Sequence, residues 1–230
     1  MTNKTVLITG SNRGLGLAFA KYYTNAGWNV IATTRRGSNA QHLKALSPFK
    51  TLTIDVQDES TVLRAAEQLK GIPIDLLINN AGIFTGGDTM DSTLKNDMMK
   101  EFEVHAVGPL LVTRALLPNL KLGAKAGNKC AFVVQMSTIY ASIESGGGPY
   151  AYCTSKTALH MVNHLMANEL KRDNIASVLL DPGMVYTNMP LSSYETEAAQ
   201  VVAGMASVID KATLKDTGKL MDYNGTVLPW

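Results

Sequence analysis

The sequence predicts an α/β fold: one domain on a doubly wound sheet of about seven mostly parallel strands, with helices on both faces. Three observations predict it. Short apolar runs alternate with longer amphipathic stretches along the whole chain. The runs are apolar without strict alternation, as expected of parallel strands that helices cover on both sides. The 230 residues are 46% hydrophobic and 17% charged, which suits one globular core and excludes the composition of a disordered chain. A single domain over 1–230 is expected, with no repeat, linker or low-complexity tract.

Taken in order, Thr5–Thr9 reads as a strand, Leu15–Ala26 as a helix and Asn29–Thr33 as a second strand. The rhythm continues with a helix at Gln41–Leu46, a strand at Thr51–Ile54, a helix at Glu59–Lys70 and a strand at Ile74–Asn79. A helical stretch from Asp91 to about Leu120 follows, interrupted by Gly108-Pro109, because proline re-aims a helix. Then come a strand at Cys130–Met136, the glycine-rich loop Ser145–Pro149 and a long helix from Ala151 to about Arg172. A strand at Ile175–Leu180, a helix around Glu195–Ile209 and a last strand at Gly218–Asp222 close the chain. In such a sheet the ligand is expected at the carboxyl ends of the strands.

The net charge of +2 is scattered and forms no basic stripe, so nucleic acid is excluded as a partner. Val6-Leu7-Ile8 is too short for a signal segment or a membrane span, which predicts a cytoplasmic protein without membrane association. Cys130 and Cys153 supply neither a disulfide framework nor a zinc quartet and are expected as reduced thiols.

Gly10-Ser11-Asn12-Arg13-Gly14-Leu15-Gly16 lies between the first strand and the first helix. Glycines there let the backbone turn tightly and bring N–H groups and the helix N-terminus to a pyrophosphate. The second strand ends Ala32-Thr33-Thr34-Arg35-Arg36, with no carboxylate to accept from a ribose 2′-hydroxyl. Arg35 and Arg13 instead offer cations to a 2′-phosphate, which favours NADP(H) over NAD(H); two solvated surface arginines are the plainer alternative.

Tyr152 and Lys156 stand at i and i+4 on one helix face. A phenol with an ordinary pKa of about 10 needs help to exchange protons at neutral pH, and an adjacent ammonium gives it by stabilising the phenolate. Ser137-Thr138 places a hydroxyl about fourteen positions upstream, at the end of a strand, where it reaches a substrate oxygen. Asn79-Asn80-Ala81-Gly82 ends the fourth strand beside the expected cofactor, and Asp181-Pro182-Gly183-Met184-Val185-Tyr186-Thr187 ends the sixth, with Thr187 set toward a carboxamide. Both segments also read simply as turns.

Together these residues resemble the short-chain dehydrogenase/reductase family, over essentially the whole chain and in the right order. Val104-His-Ala-Val-Gly-Pro-Leu, Gly-Gly-Pro-Tyr-Ala-Tyr152 and Leu228-Pro229-Trp230 look most like its small C-factor- and Sniffer-type carbonyl reductases. The resemblance implies a Rossmann-type domain that reduces an aldehyde or ketone, or oxidises an alcohol, with NADP(H). By it, Gly10, Gly14 and Gly16 form the pyrophosphate loop and Asp55-Val56 meets the adenine, while Pro182, Gly183, Val185 and Thr187 hold the nicotinamide end. Tyr152 is then the acid–base, Lys156 lowers its pKa and anchors the ribose, and Thr138 orients the substrate oxygen. A homodimer or homotetramer is implied by the same resemblance.

Two positions depart from the family pattern. Thr138 replaces the usual serine, with Ser137 expected on the opposite sheet face. His105 replaces the asparagine whose kinked helix exposes a carbonyl to a water beside the lysine; a histidine either keeps the kink, replaces the water with its imidazole, or weakens the relay. These departures keep open an alternative of another class, an NADP(H)-binding signalling or sensor protein with weak or no catalysis.

His160 and His164, four apart, suit a subunit interface better than a metal, so no metal is expected. Cys153 is turned about 100° from Tyr152 on the helix and reads as packing. Trp230 reads as a packed chain end, and the short stretch Asn188–Ala199, with Tyr186, Met189 and Tyr194, as an open apolar substrate lid.

Overall fold

The structure, a computed structural model, describes residues 3–126, 130–183 and 191–230. It is a single α/β domain around one eight-stranded sheet. The strands are β1 (Thr5–Ile8), β2 (Asn29–Thr34), β3 (Lys50–Thr53), β4 (Leu76–Asn79), β5 (Ala131–Met136), β6 (Ile175–Asp181), β7 (Leu220–Asp222) and β8 (Val227–Leu228). Their order across the sheet is β3-β2-β1-β4-β5-β6-β7-β8. All neighbours are parallel except the β7–β8 pair.

The helices are α1 (Gly14–Asn25), α2 (Gln41–Ala45), α3 (Glu59–Gln68), α4 (Lys95–Phe102), α5 (Gly108–Ala115), α6 (Leu117–Ala126), α7 (Tyr150–Leu170) and α8 (Leu191–Lys211). Successive strand residues point to opposite faces, so each strand feeds two cores. Val6 and Ile8 of β1 pack with Phe19, Ala20 and Tyr23 of α1 and with Val202 and Met205 of α8. Leu7 joins Val62 of α3, Val112 of α5, Leu120 of α6 and Met166 of α7 on the other face. This two-sided burial explains why the runs lack polar alternation.

The structure corrects three sequence expectations. The sheet has an eighth strand, antiparallel at the edge, formed because Asp222 Oδ1 accepts from the N–H groups of Asn224 and Thr226 and turns the chain back through Gly225 at φ +93°. The long helix between β4 and β5 starts at Lys95 rather than Asp91, is broken again at Leu116, and runs to Ala126. Its first break is not at Gly108-Pro109 itself but in the π-helical turn Glu103–Val107 just before it. Proline lacks an N–H and its ring crowds the carbonyl four residues back, here that of His105, so the helix is disturbed upstream of Pro109. Finally, α8 begins at Leu191 rather than Glu195.

Candidate active site

The glycine loop leaves β1 and enters α1 with Gly10 at φ +68° and Gly14 at φ +56°, conformations that cost a side chain dearly. Gly16 is required for a different reason: a Cβ there would collide with the Gly10 carbonyl and lie 2.6 Å from Asn80 Nδ2. The loop is held by hydroxyls and amides. Ser11 N–H donates to the Thr33 carbonyl (2.8 Å), and Ser11 Oγ donates to the Ile8 carbonyl while accepting from Thr33 N–H. Thr9 Oγ1 accepts from the N–H groups of Asn80 (2.9 Å) and Ala81 (3.0 Å), and Asn80 Nδ2 donates to the Thr9 and Gly10 carbonyls. The ends of β1, β2 and β4 are thereby latched together around the loop.

Arg13 and Arg35 are both exposed, Arg13 at the entry to α1 and Arg35 just beyond β2. Asn12 Nδ2 donates to the Asn39 carbonyl, tying the two loops that carry them. Asp55 is half-buried and turns its own Oδ1 to Gln57 N–H, while Val56 packs against Gly108. The cradle of close backbone approach and flanking cations fits a dinucleotide phosphate. Asn79 points elsewhere, its Nδ2 donating to Thr113 Oγ1 inside the helix-covered core.

Lys156 lies on α7 with only 6% of its surface exposed, and its ammonium donates to the Met136 carbonyl at the end of β5 (2.7 Å). Burial pushes its pKa down to about 8, opposed by the Glu101 carboxylate. Tyr152 sits one turn earlier, with Lys156 Nζ 5.8 Å from its ring centroid. Burial first, then the charges of Asp181 and Glu101, push the Tyr152 phenol up to about 12. The ammonium expected to stabilise the Tyr152 phenolate is hydrogen-bonded here to the Met136 carbonyl.

Ser137 and Thr138 turn their hydroxyls to different partners. Ser137 Oγ meets His160 Nε2 of α7 at 2.7 Å. Thr138, 8% exposed, uses Oγ1 to accept from Tyr140 N–H and cap the short 3-10 turn Ile139–Ala141. Asp181 accepts from Ile139 N–H and Gly183 N–H, fixing the ends of β5 and β6 together, with Gly183 at φ +72°. Val185, Tyr186, Thr187 and Met189 lie outside the described residues, as does the side chain of Tyr194.

His105 lies in the π-helical turn, 1% exposed. Its Nε2 accepts from Ile83 N–H (3.1 Å), which leaves the ring proton on Nδ1 to donate to Ser155 Oγ (2.8 Å); Ser155 in turn donates to the Tyr152 carbonyl. Burial, reinforced by the Lys156 charge, pushes the His105 pKa down to about 2, so the ring is neutral. The helix that carries this histidine is disturbed by a π-helical turn at Glu103–Val107.

Two residues of this region escaped the sequence reading. Glu101 is fully buried, and its Oε1 accepts from both Thr85 N–H and Thr85 Oγ1 (2.6 Å each). Phe84 places its ring edge-on to Tyr152, centroids 5.8 Å apart. The spacing of Glu101 four residues before His105 was the available signal. The two helix histidines face the chain's own end: the rings of His160 and His164 each lie 5.7 Å from that of Trp230. Burial raises the Cys153 thiol, which suits packing rather than reactivity.

A Rossmann-like sheet carrying a glycine loop at β1 and, on α7 beside the end of β5, a Tyr-x-x-x-Lys turn with a buried lysine defines a dinucleotide-dependent oxidoreductase. The chain belongs to the short chain dehydrogenase family, whose profile matches residues 4–198, and so to oxidoreductases acting on CH–OH and C=O groups. It is 38% identical to the C-signal of Myxococcus xanthus over 159 residues, 69% of this chain and 93% of that one. It is 29% identical to 1-hydroxy-2-glutathionyl-2-methyl-3-butene dehydrogenase of Rhodococcus sp. (strain AD45), covering 98% of this chain and 99% of that one. Among solved structures, NADPH-bound carbonyl reductase from chicken fatty liver superposes with a TM-score of 0.89 at 31% identity, and carbonyl reductase Sniffer of D. melanogaster with 0.89 at 30%. Each of these two comparisons covers 100% of both chains. Among the described residues, no helix is long and apolar enough to cross a membrane.

Proposed function

We propose that the protein is an NADPH-dependent carbonyl reductase, able in reverse to oxidise the alcohol, with Tyr152 as its acid–base. The observation that carries this reading is the half-buried Tyr152 one helical turn from the buried Lys156, whose ammonium reaches the end of β5, in a sheet whose β1 end is a glycine cradle. Gly10, Ser11, Asn12, Arg13, Gly14, Leu15 and Gly16 receive the pyrophosphate, Asp55 and Val56 the adenine, and Asn80, Ala81 and Gly82 the near side of the cofactor. Arg13 and Arg35 hold the 2′-phosphate, a preference supported by the absence of a carboxylate at the end of β2. Bound NADPH supplies the hydride.

Tyr152 gives its phenol proton to the carbonyl oxygen as negative charge develops there, and Thr138 steadies the same oxygen. A phenol held at about 12 is a reluctant proton donor, so Lys156 must leave the Met136 carbonyl to stabilise the phenolate. Lys156 would also hold the nicotinamide ribose of bound NADPH, a role that draws its ammonium from the same carbonyl. The exposed apolar residues Met98, Met99 and Phe102 of α4, Leu110 of α5 and Met161 and Leu165 of α7 support a homodimer or homotetramer. A cytoplasmic location is the reading that goes with it.

The test is loss of NADPH absorbance against aldehydes, ketones, α-diketones and quinones, beside NADH. Tyr152→Phe is expected to lower kcat by about a thousandfold while NADPH binding survives; retained turnover overturns the mechanism. Arg35→Ala is expected to raise the KM for NADPH about tenfold and leave that for NADH unchanged, and an equal effect on both overturns the assignment. A second reading, a cofactor-binding signalling or sensor protein, has the likeness to C-signal on its side. NADPH binding with silence across the whole panel selects it.

A further inference from the structure

Glu101 is a carboxylate with none of its surface exposed, on a helix whose neighbouring residues are solvated. Burying such a group is costly, and a fold tolerates it where the charge holds something in place. Here it holds the segment that leaves β4. Thr85 is gripped twice by Glu101 Oε1, through its N–H and its hydroxyl, and two residues earlier Ile83 N–H is gripped by His105 Nε2. Glu101 and His105 are one helical turn apart, with Nδ1 of the histidine 4.0 Å from Glu101 Oε2. The segment is fixed again at Gly87, whose carbonyl accepts from Tyr150 N–H and from Thr93 Oγ1.

Phe84 is the residue between the two grips. Its backbone is fixed on both sides while its ring, 62% exposed, stands edge-on to the Tyr152 ring. An exposed aromatic normally samples several rotamers, and this one is held by its anchored backbone and by the Tyr152 face.

We propose that Glu101 is a positioning residue for substrate selection: with His105 it clamps Ile83 and Thr85 so that Phe84 forms a fixed wall beside Tyr152, favouring carbonyl compounds that carry an aromatic ring next to the carbonyl. This rests on the carbonyl-reductase reading. A flat aryl group at the Tyr152 hydroxyl packs against the Phe84 ring, whereas a saturated ring of the same size loses the aromatic contact. The Glu101 charge also opposes the burial of the Lys156 ammonium and raises the Tyr152 phenol. An isosteric amide therefore separates charge from clamp, since it keeps an acceptor for Thr85.

The experiment compares wild type, Glu101→Met, Glu101→Gln, Phe84→Ala and the Glu101→Met/Phe84→Ala double variant. It reads the ratio of kcat/KM for benzaldehyde over cyclohexanecarboxaldehyde, together with the fluorine line of 4-fluorophenylalanine at 84, assigned by its loss in Phe84→Leu. Glu101→Met and Phe84→Ala are each expected to lower the ratio about fivefold to tenfold, with no further loss in the double variant. Glu101→Gln is expected to keep both the ratio and the fluorine line. The line should move toward its free amino acid position in Glu101→Met and partway in Thr85→Val, which spares the carboxylate and serves if Glu101→Met does not fold. Equal losses for both aldehydes with an unmoved line overturn the proposal and leave Glu101 acting through charge alone; additive losses in the double variant overturn it too. A wild type that reduces neither aldehyde overturns the selectivity, silence across the wider panel of ketones, α-diketones and quinones overturns the carbonyl-reductase reading as well, and the fluorine line then shows whether the clamp alone stands.

Discussion

The two ends of the candidate site solve opposite problems. At the β1 end the working surface is backbone, and the polar side chains around it, Thr9, Ser11 and Asn80, hydrogen-bond to their neighbours. At the β5–α7 end the working groups are charged or titratable and buried: Lys156, Glu101, His105 and Asp181. Among the described residues, buried polar atoms without a protein hydrogen-bond partner include Glu101 Oε2 and His160 Nδ1 at that end, and Thr33 Oγ1 beside the glycine loop. Buried polar groups are ordinarily paired, and the exceptions cluster where a fold puts function before stability. The phosphate end is rigid by fit and the chemical end is poised by charge.

That contrast breaks first at Gly16. Alanine there has nowhere to go, because its Cβ meets the Gly10 carbonyl and the Asn80 amide that latches the loop. Gly16→Ala is expected to weaken NADPH binding by two orders of magnitude or more, about 3 kcal/mol, read by cofactor fluorescence. Gly82→Ala, whose Cβ would lie 3.4 Å from His105 Nε2, is the milder control. Equal affinity for NADPH in wild type and Gly16→Ala would remove the claim that the loop is rigid by fit.

The next effect belongs to the chemical end. Burial lowers the Lys156 pKa from its ordinary value to about 8 in the fold. Between pH 8 and the unfolded value the unfolded chain carries the proton and the folded chain does not, so stability rises with pH through this window. Above about pH 10 the Tyr152 phenol works the other way, since it stays protonated in the fold up to about 12. Relative to Lys156→Met, the wild type should therefore gain about 2 kcal/mol between pH 8 and pH 10 in urea unfolding. A flat difference would mean that the ammonium is not strained.

Much of this was readable in the sequence, and the reasons differ by region. The apolar runs of β1, β2, β4, β5 and β6 each bury both faces, which is a property of composition alone. The glycine loop was readable because φ above zero and close backbone approach exclude other residues. β8 was missed because two residues carry no periodicity, although Asp222-Tyr-Asn-Gly225 before Thr-Val-Leu is a turn signal. Glu101 was missed for a different reason. It sits in Lys95-Asn-Asp-Met-Met-Lys-Glu-Phe-Glu103, which has the composition of a solvated helix face, and its partner Thr85 is sixteen residues away across a chain reversal. The spacing to His105 marks a shared helix turn, whereas the grip on Thr85 acts between elements and leaves no such mark.

The smallest expected effect separates the two histidines of the chemical end. Both are held neutral by burial, His105 with its pKa pushed down to about 2 and His160 to about 4, each lowered further by the Lys156 charge. The groups facing His105 are Glu101 on its own helix, Tyr152 and Lys156 on α7, and Ile83 N–H from the segment after β4. Below the unfolded histidine value the unfolded chain takes up protons that the fold refuses, so stability falls as pH falls. Each histidine contributes about 1.4 kcal/mol per pH unit. Between pH 6 and pH 4 both act, and His105→Asn should halve their joint share of the slope of the denaturation midpoint against pH. Asparagine also offers an acceptor to Ile83 N–H, so the segment after β4 stays held and the change reports titration. An unchanged slope in that variant would show that His105 takes up its proton in the fold, and that the chemical end is less strained by charge than its burial implies.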